Sequence, residues 1–336
     1  LEGRMSNHPQ QKAIQKLNRA ILKATGKIKY DLYKTRRHMV KTLRNQLLKE
    51  GDLVVTTLGT AARILKNHPP VQTILVDEAT QAIEPAIWTA AVHTQKLILM
   101  GDPFQLGPVV KQPGNILERS LLQRLIEEHP LQIPMLNIQH RMSSPIQHLV
   151  SSIYGADYVP HPSVEKHLLS DIPNVTASKL SSRSRLFVDT AGYDAEEKID
   201  PVSCSLFNQG EASIVKNILF NLTQLGLLPD QIAILTPYNA QKTLLRQNHP
   251  KYTVETINAF QGQEAEVVIC SFVRSNPDNN LGFVADRRRL TVALTRARRL
   301  WIGIGDSSLL ASNEYFAELF DLLGEDLLSA WEELPC

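Results

Sequence analysis

Long apolar runs recur along the chain, and each gives way to polar residues at its C-terminal end. Such runs lie at 74–76, 97–100, 232–235, 267–273 and 300–304. A continuous apolar run, unlike an alternating one, is typical of a strand buried on both faces of a parallel sheet. From Glu211 to Ile304 these runs alternate with stretches of helical periodicity, which predicts an α/β fold with a parallel sheet.

The first of these runs ends in two adjacent carboxylates, Asp77 and Glu78. In phosphoryl transfer, a strand-end Asp can hold Mg²⁺ while a neighbouring Glu orients or deprotonates the attacking water. The carboxyl ends of parallel strands open onto a ligand crevice, so the position suits such a site. The alternative is an acidic pair at an ordinary strand end, because such pairs are common.

Further polar and basic segments follow in a fixed order. They read Leu-Ile-Leu-Met-Gly-Asp-Pro-Phe-Gln at 97–105, Leu-Asn-Ile-Gln-His-Arg-Met at 136–142, Thr-Ile-Asn-Ala-Phe-Gln-Gly-Gln-Glu at 256–264 and Arg-Arg-Leu-Thr-Val-Ala-Leu-Thr-Arg-Ala-Arg at 288–298. Together with the acidic pair and the less usual segments at 271–276 and 281–286, this set resembles the motifs of superfamily 1 helicases. The subgroup is the one that contains the nonsense-mediated-decay helicase and senataxin. The resemblance covers most of residues 51–310, and it implies the RecA-like fold of P-loop NTPases with ATP and Mg²⁺ as cofactors.

The resemblance implies a catalytic role for each of five residues. Asp77 is expected to hold the Mg²⁺ and Glu78 to act as the catalytic base. Gln105 is expected to sense the γ-phosphate from a strand end. Arg141 and Arg296 match the two arginine fingers that reach the nucleotide from the second RecA-like domain. A planar cation with five donors suits this role, because phosphoryl transfer concentrates negative charge on the γ-phosphate oxygens.

Two more residues of the cofactor site are implied by the same motifs. Gly262 and Glu264 match the segment that couples the nucleotide to the nucleic-acid track. The other arginines of this region, Arg288, Arg298 and Arg299, keep a second interpretation as solvated surface charges, which is the usual fate of arginine.

One position departs from the pattern of the resembled family. An aromatic residue, often Tyr, commonly precedes the motif arginine and stacks on adenine, whereas this chain has His140. Because an imidazole can also stack, a weaker or pH-sensitive contact with adenine is the hypothesis. Gly107 stands where the family usually has a proline, which we interpret as a loop detail.

Contacts to single-stranded RNA or DNA are implied at other strand ends. The β-branched run at 54–57 predicts a strand ending in hydroxyls, and Thr57 matches a residue that touches the sugar-phosphate backbone. The further candidates are Pro237, Tyr238, Asn239 and Thr256. Contacts to sugar and phosphate predict little base specificity. For Tyr238, packing of the ring under its own loop is the alternative to stacking on a base.

The net charge of +2 hides an asymmetry along the chain. Residues 1–50 hold thirteen Lys or Arg and three acids, so this segment carries +10 and the remainder carries −8. Leu32, Val40, Leu43 and Leu47 recur within it at near-helical spacing, which predicts a basic helix. A helical stalk and accessory domain occupy this region in the resembled helicases. The helix is expected to neutralise phosphates, and a solvated face is the alternative.

These placements predict four parts. Residues 1–50 form the basic helical segment, 51–115 the C-terminal part of a first RecA-like domain, 116–310 a complete second RecA-like domain and 311–336 an acidic helical tail. The tail is expected to pack on the domain, with binding of a protein partner as the alternative. Three separated cysteines, without a Cys-x-x-Cys pair, argue against a zinc site or a disulfide framework, and Cys270 is expected in a core. The sequence has no transmembrane run and no secretory signal, and its cysteine usage fits a reducing location inside the cell, nuclear or cytoplasmic. A monomeric motor is expected.

A Gly-x-x-x-x-Gly-Lys-Ser/Thr loop, which wraps backbone amides around the phosphates of the nucleotide, does not occur among the sixteen glycines. In the resembled helicases this loop precedes the basic stalk, so it is expected before residue 1, in a longer protein. The principal hypothesis is therefore a C-terminal portion of an ATP-dependent 5′-to-3′ helicase. The alternative is a non-hydrolysing nucleic-acid-binding remnant or regulator.

Overall fold

The computed structural model describes residues 9–66, 68–112, 114–130 and 133–330. The chain divides into two compact units, Leu1–Gly101 with Arg119–Leu121, and Asp102–Glu118 with Leu122–Cys336. The first eight residues of the predicted basic segment and the last six of the predicted tail, including Cys336, lie outside the described residues. The predicted domain limits at residues 50, 115 and 310 stay predictions.

The first unit begins with three helices, α1 (Pro9–Lys23), α2 (Gly26–Glu50) and α3 (Leu58–Leu65). Leu43 and Leu47 of α2 are buried against Ile14 of α1, as the helical spacing of the leucines indicates. This small apolar cluster packs α1 on α2, while most of the Lys and Arg side chains of both helices stay exposed.

A two-stranded parallel sheet completes the first unit. β1 (Val71–Val76) pairs with β2 (Thr94–Leu99), and α4 (Glu84–Ala91) connects them. The strands are parallel as predicted, but the prediction of a buried β1 is wrong, because Leu75 is 54% exposed and only Val76 is buried. Two strands with one helix provide too little apolar surface to cover both faces of the sheet.

The β-branched run at 54–57 is not a strand. These residues have no pairing partner within the described chain, and Val55 is 84% exposed. The backbone of Thr57 is extended, and the residue occupies the N-cap position of α3. Local propensity therefore favours the extended conformation here, but without a neighbouring ladder it does not produce a strand. The prediction of a strand at 54–57 is therefore wrong.

The second unit is built on a six-stranded parallel sheet in the order β12-β5-β11-β10-β8-β9. Its strands are β5 (Arg185–Asp189), β8 (Ile232–Thr236), β9 (Thr253–Thr256), β10 (Ala265–Ser271), β11 (Ala297–Gly305) and β12 (Leu327–Ser329). Three of them, β8, β10 and β11, coincide with the apolar runs of the sequence. The predicted parallel α/β architecture is confirmed in this unit.

Alternate residues of these strands enter separate apolar cores. Phe187 and Trp301 belong to one core, together with Phe272 and Phe316. Leu186 and Ile302 belong to the other, which also contains the apolar face of α8 (Gln209–Gln224). Cys270 is 1% exposed, as predicted, and burial raises the pKa of its thiol to about 12.

The acidic tail packs on the second unit. Its helix, α12 (Glu314–Leu323), buries Phe316 and Leu319 in the first of the two cores. The chain then forms β12, which pairs in parallel with β5, so the prediction of an entirely helical tail is wrong. A three-residue strand is too short to show a sequence period, and its partner lies more than 130 residues earlier.

Shorter elements connect these parts. The helices are α5 (Leu121–Glu128), α6 (Ser144–His148), α7 (Ser151–Tyr154), α9 (Asn239–Asn248), α10 (Arg287–Leu294) and α11 (Ser307–Leu310). Two small strand pairs accompany them. β3 (Ile138–Gln139) pairs with β4 (Val159–Pro160), and β6 (Lys198–Ile199) pairs with β7 (Leu206–Phe207). Among the described residues, every helix is too short or too polar to cross a bilayer.

Candidate functional site

In the first unit, the two predicted carboxylates lie directly after β1. Asp77 is exposed, and its Oδ1 accepts a hydrogen bond from the backbone N–H of Glu78 over 2.9 Å. Glu78 has a left-handed backbone with φ of 51°, which is strained for a residue with a side chain. The side-chain amide of Gln81 donates to Glu78 Oε2 over 3.0 Å. The strand end thus presents one open carboxylate and one positioned by a neighbour.

A glycine lets the ends of β1 and β2 lie close together. The N–H of Ala79 donates to the carbonyl of Met100 over 2.7 Å. A Cβ on Gly101 would lie 3.0 Å from the backbone nitrogen of Thr80. A larger residue at 101 would therefore push the segment after Glu78 away from β2.

In the second unit, the structure brings Gln105 and Arg296 together. Arg296 is 2% exposed and follows α10, where its Nε donates to the carbonyl of Val292 over 3.2 Å. Its Nη2 donates to the side-chain oxygen of Gln105 over 3.2 Å and to Thr295 Oγ1 over 2.8 Å. The guanidinium is therefore held by several acceptors, and one of them is the predicted γ-phosphate sensor.

Gln105 is itself fixed by two residues that sequence reasoning missed. Its amide nitrogen donates to Asp102 Oδ2 over 2.7 Å, and the Tyr154 hydroxyl donates to the same oxygen over 2.5 Å. Burial, followed by the charge of Asp102, raises the pKa of Tyr154, so the hydroxyl keeps its proton. Asp102 was visible in the sequence as the acid after β2. Tyr154 carried no local signal, because the contact joins residues far apart in the chain.

Glu264 joins two arginines of the second unit. Arg141 Nε donates to its Oε2 over 2.5 Å, and Arg298 Nε donates to its Oε1 over 3.0 Å. Burial raises the pKa of Glu264, but the hydrogen bonds from Arg298 and Arg141 outweigh this effect and hold the pKa below its ordinary value. Arg141 also donates through Nη1 to the carbonyl of Thr295, over 3.1 Å, next to Arg296.

The remaining arginines of this region differ in their exposure and in their partners. Arg298 is exposed but pairs with both Glu264 and Glu266. Arg299 is half-buried and lies 2.7 Å from Glu266, so its interpretation as a solvated charge is wrong. Arg288 is half-buried, and its backbone N–H donates to Asp286 at the start of α10.

The residue that departs from the family pattern has an aromatic neighbour. His140 is exposed after β3, and its ring stacks on that of His161 with centroids 4.2 Å apart. His161 follows β4, which pairs in parallel with β3, so the two short strands place the imidazoles side by side. His140, the residue predicted to contact adenine, is therefore one of two stacked imidazoles.

The predicted nucleic-acid residues occupy several positions in the two units. In the second unit, Asn239 is exposed at the start of α9 and Thr256 ends β9, whereas Pro237 is half-buried. Tyr238 is 4% exposed, its ring packs on Phe283 at 5.6 Å, and burial raises the pKa of its hydroxyl. The packed alternative thus describes this structure, and stacking on a base would require the ring to turn outwards.

The two other predicted residues lie at bends of the chain. Gly262 has φ of 79° in the turn between β9 and β10, a conformation that glycine adopts without strain. Thr57, in the first unit, is exposed, and its hydroxyl donates to Thr60 Oγ1 over 3.1 Å.

A buried carboxyl that sequence reasoning missed holds the motif at 271–276. Glu211 is fully buried and accepts from Ser271 Oγ over 2.6 Å and from the N–H of Val273 over 2.9 Å. Val273 has φ of 74°, a strained value for a β-branched residue, and its doubly accepted N–H helps to maintain it. Burial raises the pKa of Glu211 to about 8, with further increases from Asp306 and Glu197. The next residue, Arg274, pairs with Glu197 at 3.0 Å.

Two family models match the chain. A family described as "AAA domain" matches residues 117–308, and a second family with the same description matches residues 3–113. The chain belongs to the AAA-domain family of superfamily 1 helicases. The resemblance carried by the motifs and the RecA-like P-loop NTPase fold are thereby confirmed.

Several named proteins are similar to this chain. DNA-binding protein SMUBP-2 of Mesocricetus auratus, the immunoglobulin-mu-binding protein 2 helicase that the motifs resemble, is 35% identical over 326 residues, which span 89% of this chain and 33% of that protein. DNA polymerase alpha-associated DNA helicase A of Schizosaccharomyces pombe is 34% identical over 305 residues, 87% of this chain and 46% of that protein. The solved arterivirus nonstructural protein 10 helicase is 20% identical, with a TM-score of 0.40, over 76% of this chain and 43% of that chain. The chain spans less than half of each.

Proposed function

We propose that this chain is the C-terminal portion of an ATP-dependent helicase that couples ATP hydrolysis to translocation on single-stranded nucleic acid. The hydrogen bond between Arg296 and Gln105 carries the proposal. It joins the predicted arginine finger to the predicted γ-phosphate sensor across 191 positions of sequence. Relatives that match most of this chain include proteins named as helicases.

Asp77 and Glu78 supply the hydrolytic chemistry in this proposal. Bound Mg²⁺ would neutralise charge on the β- and γ-phosphates. The second oxygen of Asp77, Oδ2, has no hydrogen-bond partner in the described chain, and a hard carboxylate oxygen fits Mg²⁺. Asp77 would hold the ion together with water and phosphate oxygens, which Mg²⁺ commonly keeps as ligands. Glu78 orients the attacking water and accepts its proton.

Arg141 and Arg296 stabilise the negative charge that develops on the γ-phosphate. An arginine finger contributes about 10³–10⁵ in rate. Glu264 holds Arg141 in place, and Gly262 permits the turn that carries Glu264. His140 stacks on adenine.

The proposed nucleic-acid contacts are Thr57 in the first unit and Pro237, Tyr238, Asn239 and Thr256 in the second. Tyr238 would contact a base only with its ring turned outwards. Relatives of this chain are named as a DNA-binding protein, a DNA helicase and a regulator of nonsense transcripts. We propose that the substrate is single-stranded RNA or DNA, that translocation runs 5′ to 3′, and that the motor is a monomer acting in the nucleus or cytoplasm.

Replacing Glu78 by Gln in the full-length gene product tests the catalytic assignment. The amide keeps the size of the side chain but cannot accept a proton, so ATP and oligonucleotide binding should persist while single-turnover hydrolysis is lost. Glu84→Gln is a matched control at a carboxylate of α4 outside the predicted site. Undiminished hydrolysis in Glu78→Gln would remove Glu78 from the role of base. Absence of hydrolysis in the unsubstituted full-length protein would favour the non-hydrolysing alternative.

A further inference from the structure

Four cations of α2 lie along one face of the helix. Lys34, Arg37, Lys41 and Arg44 are separated by three, four and three positions, and this spacing returns to the same side of an α-helix. At 1.5 Å of rise per residue, the row is about 15 Å long. Leu43 and Leu47, which are buried on α1, lie outside this row.

This row is one wall of a groove. The groove has a volume of about 770 Å³, and its lining includes Arg63 and Ile64 of α3 in addition to the four cations. Two elements of the first unit therefore direct five cationic side chains into one concave surface. A solvated helix face would not require a second wall carrying the same sign of charge.

The positive charge of the groove is not neutralised by the protein. No Asp or Glu contributes to its lining. In the part of the chain that the structure describes, the five side chains make no ion pair and no side-chain hydrogen bond. Like charges held at this density repel one another, and a bound polyanion would remove the repulsion while releasing its own counterions.

The shape and position of the groove favour a nucleic-acid backbone over a compact anion. A row of about 15 Å is long enough to meet more than one phosphate of an extended strand, whereas a compact anion would reach only part of it. Thr57, a residue already proposed to contact the sugar-phosphate backbone, is the N-cap of α3, the helix that carries Arg63. A strand that contacts Thr57 would follow α3 towards the groove.

We propose that this groove binds the phosphate backbone of single-stranded nucleic acid, independently of sequence and of ATP. It is a second contact for the substrate, outside the helicase motifs, and it rests on the proposed function only in the identity of that substrate. The groove would keep the strand bound while the motif residues change their contacts with it during a cycle of ATP hydrolysis.

Oligonucleotide binding to the 336-residue chain tests the proposal without ATP. Fluorescence anisotropy with labelled oligothymidine and oligouridine is measured across a salt series for Arg37→Gln/Lys41→Gln. The matched control is Lys27→Gln/Lys29→Gln, which removes the same charge from the same helix at exposed positions outside the groove. Gln is a good helix former, and circular dichroism verifies that both variants stay folded.

The groove variant should bind about tenfold more weakly at low salt. The slope of log affinity against log salt should become shallower by about 1.4, since each phosphate contact to a single strand contributes about 0.7. Arg37→Lys/Lys41→Arg, which keeps the charge, should bind like the parent. Equal affinity and slope in the groove and control variants would overturn the groove while leaving the helicase proposal intact. Failure of the parent chain to bind either oligonucleotide would overturn both.

Discussion

The guanidinium of Arg296 donates to the side-chain oxygen of Gln105, and the amide nitrogen of Gln105 donates to Asp102. Since the amide uses its oxygen for one neighbour and its nitrogen for the other, its orientation is fixed. A change at Gln105, the predicted γ-phosphate sensor, would therefore reach both Arg296, the predicted finger, and Asp102, all within the second unit.

Arg296→Ala should abolish ATP turnover and spare nucleic-acid binding. Removal of an arginine finger costs about 10³–10⁵ in kcat, because the developing charge on the γ-phosphate loses its partner. The measurement is steady-state ATPase activity of the full-length gene product, together with anisotropy on a labelled oligonucleotide. Arg246→Ala is the control, since this exposed arginine pairs with Glu255 at the end of the sheet. Normal turnover in Arg296→Ala would exclude the finger role.

Tyr154→Phe should destabilise the second unit by about 1.5–3 kcal/mol, the range for a hydrogen bond to a charged group. The substitution removes the donor to Asp102 but keeps a ring that packs on Tyr158 at 4.6 Å. Tyr158→Phe is the matched control, because the Tyr158 hydroxyl has no hydrogen bond among the described residues. Urea denaturation measures both variants, and equal losses would show that the Asp102 bond is not what stabilises this segment.

Glu211→Gln should flatten the pH dependence of stability. Burial raises the pKa of Glu211 from 4.5 to about 8, so between these values the folded protein holds a proton that the unfolded chain has released. The stability that Glu211 contributes is fully present below pH 4.5 and is lost as pH rises through about 8. The free energy of unfolding of the parent, relative to the variant, should fall by about 1.4 kcal/mol per pH unit across this window. If urea denaturation shows the same change in the free energy of unfolding for parent and variant between pH 5 and 8, the prediction is contradicted.

His140→Tyr should bind ATP more tightly in the full-length protein. A phenol ring offers adenine a larger aromatic face than an imidazole does. His161→Ala is the control, because it removes the ring that stacks on His140 and keeps the residue predicted to contact adenine. Titration of a fluorescent ATP analogue measures both variants. Identical affinities for the parent and His140→Tyr would refute the adenine contact.

Apolar runs predicted the central strands because their signal is local. β8, β10 and β11 coincide with apolar runs that are buried on both faces of the sheet. Such a run can be recognised without knowing the rest of the chain. The prediction of a strand at 54–57 was wrong because a strand also needs a pairing partner. β-branched residues favour an extended backbone, but a short run of them does not show whether another strand lies beside it.

The residues of the candidate site are also of two kinds, those that a local pattern predicts and those that it does not. Residues inside a motif, such as Gln105 and Arg296, could be named from order and spacing, and the structure places them in contact. Tyr154 and Glu211 could not be named, since each acts through residues more than 50 positions away and a single Tyr or Glu has no pattern. Only the folded chain shows which polar groups share a buried volume.

The pairing of β12 with β5 also determines where the chain can be cut. A recombinant domain designed from the motifs alone would stop near residue 310, before α12 and β12. It would expose the backbone edge of β5 and the apolar surface that Phe316 and Leu319 cover. Unpaired edges recruit other chains, so the shortened product should aggregate, and a purification tag is better placed beyond residue 330 than in place of the tail.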